Sequence, residues 1–261
     1  MIILHDKDQI ERHLRTDPAL HLYELGDLDD FFWPQTLWFG LNDGGQTRAL
    51  ALLYAGAGLP VLIALSRQGG VHLEQLLAEL RSLLPRQFYC HLSPGLDRGL
   101  RPQYRLEHHG RHLKMTLVDQ ERLQRINTAE SLPLSSRDLT ELLGFYRDCY
   151  PGNWFDPRML ETGQYFGIRR DGRLASVAGI HVYSPRYRVA ALGNIATDPA
   201  LRGRGLGAAA TAALCKNLLV TVDTIGLNVK ADNAGAIRCY EKLGFVATGE
   251  YDEYTATAAP G

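Results

Sequence analysis

Three glycines at alternate positions directly precede an alanine-rich helix, and this segment constrains the fold more than any other. The segment, 196–212, reads ATDPALRGRGLGAAATA. Its glycines and the arginines beside them are Arg202, Gly203, Arg204, Gly205 and Gly207. The first N–H groups of a helix have no acceptor within the helix, and the helix dipole adds positive charge there. Because glycine leaves these groups uncovered, we expect a strand, a loop and a helix whose N-terminus holds an anion such as a pyrophosphate.

Other glycine-rich motifs fit this segment less well. A P-loop is excluded because no Gly-Lys-Ser/Thr ends the loop. A dinucleotide fold is a rival, since Gly203-x-Gly205-x-x-Ala208 satisfies its relaxed pattern and Asp232 follows the next strand. The dinucleotide turn is tight, however, whereas five residues separate Thr197 from Gly203 here. A plain glycine-rich turn before a packing helix stays open as a third interpretation.

Composition excludes several broad classes of function. The formal net charge of -1 argues against a general binder of nucleic acid or of membrane surfaces. The four cysteines have no metal-ligand or CxxC spacing, which predicts reduced thiols, a cytoplasmic protein and no metal site. The polar N-terminus is unlike a signal peptide. An uncharged stretch at 49–65 is interrupted by Gly56, Gly58 and Pro60, so it predicts two buried strands rather than a membrane span.

Apolar periodicity along the second half predicts alternating strands and helices in a mixed α/β fold. Ser135 caps the first predicted helix, an Asp171-Gly172 turn joins two strands, and Gly244 ends the last helix. The predicted helices are 135–148, 205–219 and 233–243. The predicted strands are 164–170, 174–183, 188–197 and 224–230, followed by short strands that start at Phe245 and at Tyr251.

The first half repeats this plan. An aromatic-Phe-Gly strand and an Asp-Gly turn occur at 38–44, as they do at 165–172. Arg67-x-x-Gly70 precedes a predicted helix at 72–83, as Arg202-x-x-Gly205 precedes its own helix. His72 stands where the second copy has Gly207, so only the second copy has a complete glycine loop. We therefore predict two copies of one fold.

Two ordered motifs resemble the GCN5-related N-acetyltransferase (GNAT) superfamily. GNIATDPALRGRGLGAAATAAL is similar to its acetyl-CoA-binding segment, whose loop is R/Q-x-x-G-x-G/A. LNVKADNAGAIRCYEKLGF is similar to the strand and helix that follow it, with Asn233 opening the helix and Tyr240 seven residues later. The clear resemblance covers about 126–254. The first half resembles the degenerate partner domain of tandem members, which include mycothiol synthase-like and glycine acyltransferase-like enzymes.

The resemblance implies a role for each motif residue. The strand before the loop offers backbone groups to the pantetheine arm and the thioester, which we carry over to Ile195, Ala196 and Thr197. The pyrophosphate then lies on the loop amides of Arg202, Gly203, Arg204, Gly205, Leu206, Gly207 and Ala208. Asn233 belongs to the same cofactor-binding set. Tyr240 is the expected general acid, because a phenol of pKa near 10 is a close match for a departing thiolate.

The general base is less defined by the sequence. Many family members have a Glu on the strand before the loop, whereas this chain has Asn194, which orients a water but takes no proton. His181 on the adjacent strand is a candidate base, because its unperturbed pKa lies near 6.5. Glu161, Asp148 and Asp156 are further candidates, as is deprotonation by bulk water. The aromatic loop at 150–155 either covers the acceptor or packs against the partner domain.

We therefore expect two GNAT-like domains with a mixed sheet flanked by helices. The predicted domains are 1–122, a degenerate copy, and 123–261, the catalytic copy. The predicted activity is direct acetyl transfer from acetyl-CoA to the primary amine of a small molecule or peptide. The alternatives are a glycine acyltransferase-like acyl-CoA:amino-acid N-acyltransferase and a CoA-binding module without turnover.

Overall fold

The chain divides into two compact units in the computed structural model, which describes residues 1–56, 58–67 and 70–259. Unit 1 comprises Met1–Lys114, Lys230–Asp232 and Ala247–Gly261. Unit 2 comprises Met115–Val229 and Asn233–Val246. Ala57, in the turn predicted within 49–65, lies outside the described residues, as do Gln68 and Gly69 of the Arg-x-x-Gly motif. Each unit is described by itself below.

Among its described residues, unit 1 contains seven strands in the order β1-β2-β3-β4-β5-β12-β6. The strands are β1 (Ile2–Leu4), β2 (Thr36–Asp43), β3 (Gln46–Tyr54), β4 (Val61–Ala64), β5 (Gln87–Leu92), β6 (Tyr104–Leu117) and β12 (Phe245–Ala258). The helices are α1 (Lys7–Leu14), α2 (Leu22–Asp27) and α3 (Val71–Leu80). β4 and β5 are parallel, whereas the pairs from β1 to β4 and the pair of β5 with β12 are antiparallel.

The core of unit 1 lies between this sheet and α3. Leu73, Leu76, Leu77 and Leu80 line one face of α3 at helical spacing and are buried. They pack in one cluster with alternate residues of the strands, including Phe88 and Cys90 of β5 and Tyr254 and Ala256 of β12. Because side chains alternate along a strand, the residues between these core positions lie on the opposite face of the sheet.

Unit 2 contains the strand order β11-β10-β9-β8-β7. The strands are β7 (Leu132–Pro133), β8 (Phe166–Arg170), β9 (Arg173–Ser184), β10 (Val189–Thr197) and β11 (Thr224–Lys230). The helices are α4 (Glu121–Gln124), α5 (Leu139–Cys149), α6 (Leu206–Leu218) and α7 (Ala234–Lys242). β10 and β11 are parallel, and the other pairs are antiparallel.

The two units share one pairing plan, which confirms the predicted mixed α/β fold and its repeat. In each unit an antiparallel hairpin pairs with a third strand, and that strand leads through a helix to a parallel fourth strand. The helix is α3 in unit 1 and α6 in unit 2. A helix connects the parallel strands because parallel neighbours need a long crossover connection.

Local signals explain several element boundaries of unit 2. Asp171 and Gly172 have φ values of 51° and 75°, as the two-residue turn between β8 and β9 requires. Ser135 and Asp138 form a capping box at a 3-10 turn, Ser136–Asp138, that leads into α5. The predicted helices and strands of the second half are found within a few residues of their expected bounds.

Two features differ from the sequence-based expectation. The final segment is one continuous strand, β12, rather than two short strands, because Gly249 stays extended within it. Residues 247–261 group with unit 1, so the compact units do not coincide with the predicted division at 122/123, which stays a prediction.

The longest helix of the described residues, α6, has 13 residues, too few to cross a bilayer.

Candidate functional site

β10 and β11 separate partway along their length, and this opens unit 2 at the end of β10. Their parallel pairing runs from Val189 with Thr224 to Leu192 with Leu227. Beyond that point β10 continues to Thr197 and β11 to Lys230 with no further pairing between the two in the described residues. The backbone groups of Ile195, Ala196 and Thr197 that face β11 therefore make no ladder hydrogen bonds with it.

A β-bulge in β10 lies at the point of separation. The register with β9 runs from Gly193–Gly179 to Ala196–Val177, which places one extra residue in β10. Asn194 has a positive φ of 53°. Tyr146 Oη donates a 2.7 Å hydrogen bond to the Asn194 carbonyl, and Asn194 Nδ2 donates to Tyr165 Oη at 3.1 Å. Buried Asn194 is thus fixed by two tyrosines, and its role in orienting a water stays a prediction.

The glycine loop leaves the start of α6 uncovered. Gly203 and Gly205 have φ values of 77° and 82°, and nothing lies within 4 Å of the position that a Cβ would take at either residue. Gly205 is the N-cap, and the first backbone bond of the helix is from Ala209 N to Gly205 O, at 3.0 Å. No oxygen of the described residues accepts a hydrogen bond from the N–H groups at 206–208. Uncovered N–H groups of this kind suit an anion, and the anion site at the end of β10 stays a prediction.

The loop side chains and the last residue of β10 are arranged around this opening. Arg202 and Arg204 are exposed, and Arg202 Nε donates to the Thr197 carbonyl at 3.3 Å. A Cβ at Gly207 would lie 3.1 Å from Thr197 Oγ1, so the first turn of α6 approaches β10 closely. Leu206 is buried beneath the loop, and Ala208 is partly exposed.

Unit 1 differs at the equivalent place. Gly70 is the N-cap of α3, but a Cβ there would lie 2.5 Å from Leu96 Cδ2. An apolar side chain therefore occupies the space that is open in front of Gly205.

Tyr240 is a buried residue of α7 whose ring lies 6.1 Å from that of Phe245. Burial raises the pKa of its hydroxyl, and Cys239, Tyr150 and Cys215 add smaller effects in the same direction. Within the described residues the hydroxyl has no hydrogen-bond partner. Asn233 caps this helix by accepting a 3.1 Å bond from Ala236 N, so it sets where α7 begins. Tyr240 therefore keeps its proton, but the raised pKa makes its hydroxyl a weaker acid than the free phenol on which the predicted match to a thiolate rests, so its role as general acid stays a prediction.

The candidate bases lie in different surroundings. The His181 ring is partly buried and packs directly over Gly193, where any Cβ would collide with it. Asp148 is paired with Arg147, and Asp156 accepts a 2.9 Å bond from Arg158 N. Glu161 is exposed. Of these candidates, His181 therefore contacts Gly193, the residue directly before the bulge in β10.

The aromatic loop at 150–155 divides between core and surface. Phe155 packs inward, with its ring 5.2 Å from that of Tyr146 and 5.7 Å from that of Tyr165. Tyr150 and Trp154 are 43% and 46% exposed. The two outer aromatics thus keep part of their surface exposed, whereas Phe155 supports the tyrosines that hold the bulge.

The sequence analysis missed a basic cavity of about 340 Å³ beside the start of α6. Its lining includes the helix start at 204–206 together with Arg125, Asn127, Glu130 and Arg170. Arg170 Nη2 donates a 2.6 Å bond to Glu130 Oε2. These residues come from three separate stretches of sequence, so no spacing signal links them to the glycine loop. Arg125 adds positive charge next to the uncovered N–H groups, whereas the charge of Arg170 is paired with that of Glu130.

In unit 2 a bulged strand parts from its parallel neighbour and leads into a glycine-opened helix, which is the arrangement that the sequence resemblance to the GNAT superfamily implies. Residues 131–245 match the Acetyltransferase (GNAT) family, and this segment is a domain of that family.

Known proteins are similar to this chain in part or in fold. The mycothiol acetyltransferase of Mycobacteroides abscessus is 33% identical over 106 residues, which is 39% of this chain and 34% of that protein. The chain thus spans about a third of the length of that relative. A tandem GNAT protein from the clavulanic acid biosynthesis pathway has a TM-score of 0.59 at 17% identity and covers 100% of this chain and 98% of its own. A Drosophila protein has a TM-score of 0.74 at 13% identity, with coverage of 98% and 97%. These two likenesses concern the fold.

Proposed function

We propose that this chain is an N-acetyltransferase that moves an acetyl group from acetyl-CoA directly to the primary amine of a small molecule or peptide. The observation that carries the proposal is the uncovered start of α6 at the end of a strand that has left its parallel partner. Backbone N–H groups there suit a diphosphate, and each charge-assisted bond contributes about 1.5–3 kcal/mol. The family of residues 131–245 supports the same activity.

In this proposal, the residues of unit 2 divide the work of one acyl transfer. The loop from Arg202 to Ala208 holds the diphosphate, and Ile195 and Thr197 hold the pantetheine arm and the thioester carbonyl. The amine nitrogen attacks that carbonyl, the C–S bond breaks, and Tyr240 gives its proton to the departing thiolate. His181 is the proposed base that takes the proton of the amine.

Unit 1 acts as a scaffold in this proposal, since Leu96 covers the start of its equivalent helix. We place the protein in the cytoplasm, which the four free cysteines support. The acceptor is a small molecule or peptide rather than nucleic acid or a membrane, in keeping with the formal net charge of -1.

A matched pair of glycine variants tests the anion site. Gly205→Ala adds a methyl group in front of the uncovered N–H groups, whereas Gly172→Ala adds one in the turn between β8 and β9. Both glycines have positive φ and open space around the Cβ position, so both variants carry a similar backbone cost of roughly 1–2 kcal/mol. We expect calorimetry to show acetyl-CoA binding weakened at least tenfold in Gly205→Ala only.

Turnover is then measured as CoA release over a panel of amines. Release that depends on the amine supports the transferase. Acetyl-CoA binding without release would identify a CoA-binding module, and a preference for longer acyl-CoAs with amino acids would identify the acyltransferase alternative. Equal acetyl-CoA affinities in the two glycine variants would contradict the proposed site.

A further inference from the structure

The sheet of unit 1 has a polar layer on the face opposite its apolar core. Phe88 and Cys90 belong to the core, so Tyr89 and His91 lie on the other face of β5. β12 follows the same alternation, and its Glu253 is directly opposite His91 in the register. Lys114 of β6 and Glu24 of α2 complete this layer, and both are buried.

Lys114 is the first unusual member of the layer. It is 4% exposed, and its ammonium nitrogen lies 4.9 Å from the ring centre of Tyr23 and 5.6 Å from that of Tyr251. These cation–π contacts stabilise the charge without using its N–H donors. No acceptor for those donors exists among the described residues. Unlike Glu24 Oε2, the ammonium nitrogen is not fully covered, so a partner from outside the chain can reach its donors.

Glu24 is the second unusual member. It is 2% exposed, and its Oε1 accepts a 2.9 Å bond from His21 Nδ1. Its other oxygen, Oε2, is buried and has no partner in the described part of the chain. Burial opposes ionisation of this group, but the hydrogen bond and charge of His21 and the charge of Lys114 together lower its pKa. The carboxylate therefore keeps one oxygen available for a donor.

The remaining acidic groups around Lys114 do not supply its acceptor. Glu253 is held by His91 and His112, and by the hydroxyl groups of Tyr89 and Tyr251. Asp17 is paired with Arg67 outside the layer. Burial, followed by the charge of Glu24, raises the pKa of Asp27 well above its usual range, so that side chain holds its proton. Against the lowering effect of burial, the charge of Glu24 raises the pKa of Lys114, and the charge of Lys114 lowers the pKa of Glu24, yet no ion pair joins the two among the described residues.

We propose that Lys114 and Glu24 bind the carboxylate and the ammonium group of a free α-amino acid, at a site in unit 1. A simple anion would bind Lys114 but be repelled by Glu24. A simple cation would bind Glu24 but be repelled by Lys114. A zwitterion satisfies both groups and adds no net charge to a buried place. This proposal concerns unit 1 and does not rest on the acetyl-CoA site proposed for unit 2.

The probes are glycine and the standard L-amino acids, tested on the full chain by calorimetry and thermal shift. We expect at least one of them to bind, and its methyl ester, which lacks the carboxylate, to bind at least tenfold more weakly. Acetate and methylamine each carry only one of the two charges, so we expect them to bind at least tenfold more weakly as well. Acetyl-CoA binding is measured in parallel, and it reports on unit 2 independently.

Three variants assign the binding to this layer. Lys114→Met keeps the length of the side chain and Glu24→Gln keeps its shape, and each is expected to weaken amino-acid binding at least tenfold. Lys7→Met is the matched control, because Lys7 also lies over an aromatic ring, that of Trp33, but has Asp30 as a partner. If a layer variant does not fold, the relative affinities of the wild-type protein for the amino acid, its methyl ester, acetate and methylamine test the proposal instead. The proposal is overturned if no amino acid binds, if ester or acetate binds equally well, or if the two folded layer variants bind like Lys7→Met.

Discussion

At the scale of single residues, the hydroxyl of Tyr240 is the most informative group of the proposed reaction. It is buried, it has no partner among the described residues, and its raised pKa keeps it protonated. Tyr240→Phe removes the proton donor and leaves the ring packing against Phe245. We expect kcat to fall about 100-fold or more, because this is a typical effect of losing a general acid. The affinity for acetyl-CoA is expected to stay unchanged.

The measurement is CoA release on the best amine of the panel, with calorimetry for affinity. Tyr183→Phe is the control, because its hydroxyl bonds Thr221 Oγ1 at 2.9 Å and has no role in the proposed transfer. A Tyr240→Phe enzyme with the kcat of Tyr183→Phe would remove Tyr240 from the mechanism.

His91 makes stability depend on pH. Burial is the main cause that lowers its pKa to about 4, whereas the unfolded imidazole titrates near 6.5. Between these values the unfolded state binds more protons, so the free energy of unfolding falls as the pH is lowered. His91 accounts for up to about 1.4 kcal/mol per pH unit in this window.

We expect His91→Gln to lose less stability than wild type between pH 6.5 and 4 in urea unfolding. Asp27 has a raised pKa and contributes with the opposite sign, but it is present in both proteins and cancels in the comparison. The exposed His5→Gln serves as control. Parallel stability curves for His91→Gln and wild type would show that His91 does not carry this dependence.

Sequence patterns revealed those residues that act through their neighbours in the chain. Gly205 and Asn233 were predicted because a helix start depends on a few consecutive residues. Arg125 and Arg170 were missed because they come from separate stretches that only the fold brings together. Lys114 and Glu24 were missed for the same reason, since 90 positions of sequence separate residue 24 from residue 114.

At the scale of elements, the bulge in β10 determines where the strand leaves β11. Asn194 occupies a left-handed conformation that most side chains disfavour by roughly 1–2 kcal/mol. Its amide also bonds Tyr165, and a hydrogen bond of this kind contributes about 1 kcal/mol. We expect Asn194→Val to lower the free energy of unfolding by about 2–3 kcal/mol in urea titration.

Asn194→Gly separates the two contributions, because glycine accepts the conformation but lacks the amide. Its loss of unfolding free energy is expected to be about 1 kcal/mol. If the valine and glycine variants are equally stable, the backbone conformation at the bulge costs nothing and this explanation fails.

Helices and hairpins could be predicted where a few consecutive residues determine them. The extent of a strand was harder to predict, because it depends on pairing with distant strands. The Asp171-Gly172 turn and the Ser135 cap fixed a hairpin and a helix in advance. Two short strands were predicted from Phe245 and from Tyr251, but the segment forms one strand, which pairs with β5 from Asp252 to Thr257. The bulge had no sequence signal beyond a single Asn.

At the scale of the whole molecule, the last strand completes the sheet of the first unit. β12 pairs with β5, and its Tyr254 and Ala256 are part of the core beside α3. A fragment of residues 1–122 lacks these groups and exposes the edge of β5. We expect it to show no cooperative thermal transition by circular dichroism, in contrast to the full chain.

A peptide of residues 245–259 added to the fragment supplies the missing strand, and we expect it to restore a transition. A fragment that melts cooperatively without the peptide would contradict this role of β12 and would favour the predicted division at 122/123.

The pairing of β12 with β5 also orders events during translation. A ribosome makes β5 early but reaches residue 258 only after all of unit 2 has been synthesised. Unit 2 ends at Val246, so its residues leave the exit tunnel before the strand that unit 1 still requires. The half of the protein that is made later can therefore be completed first, and β5 keeps an unpaired edge until β12 emerges.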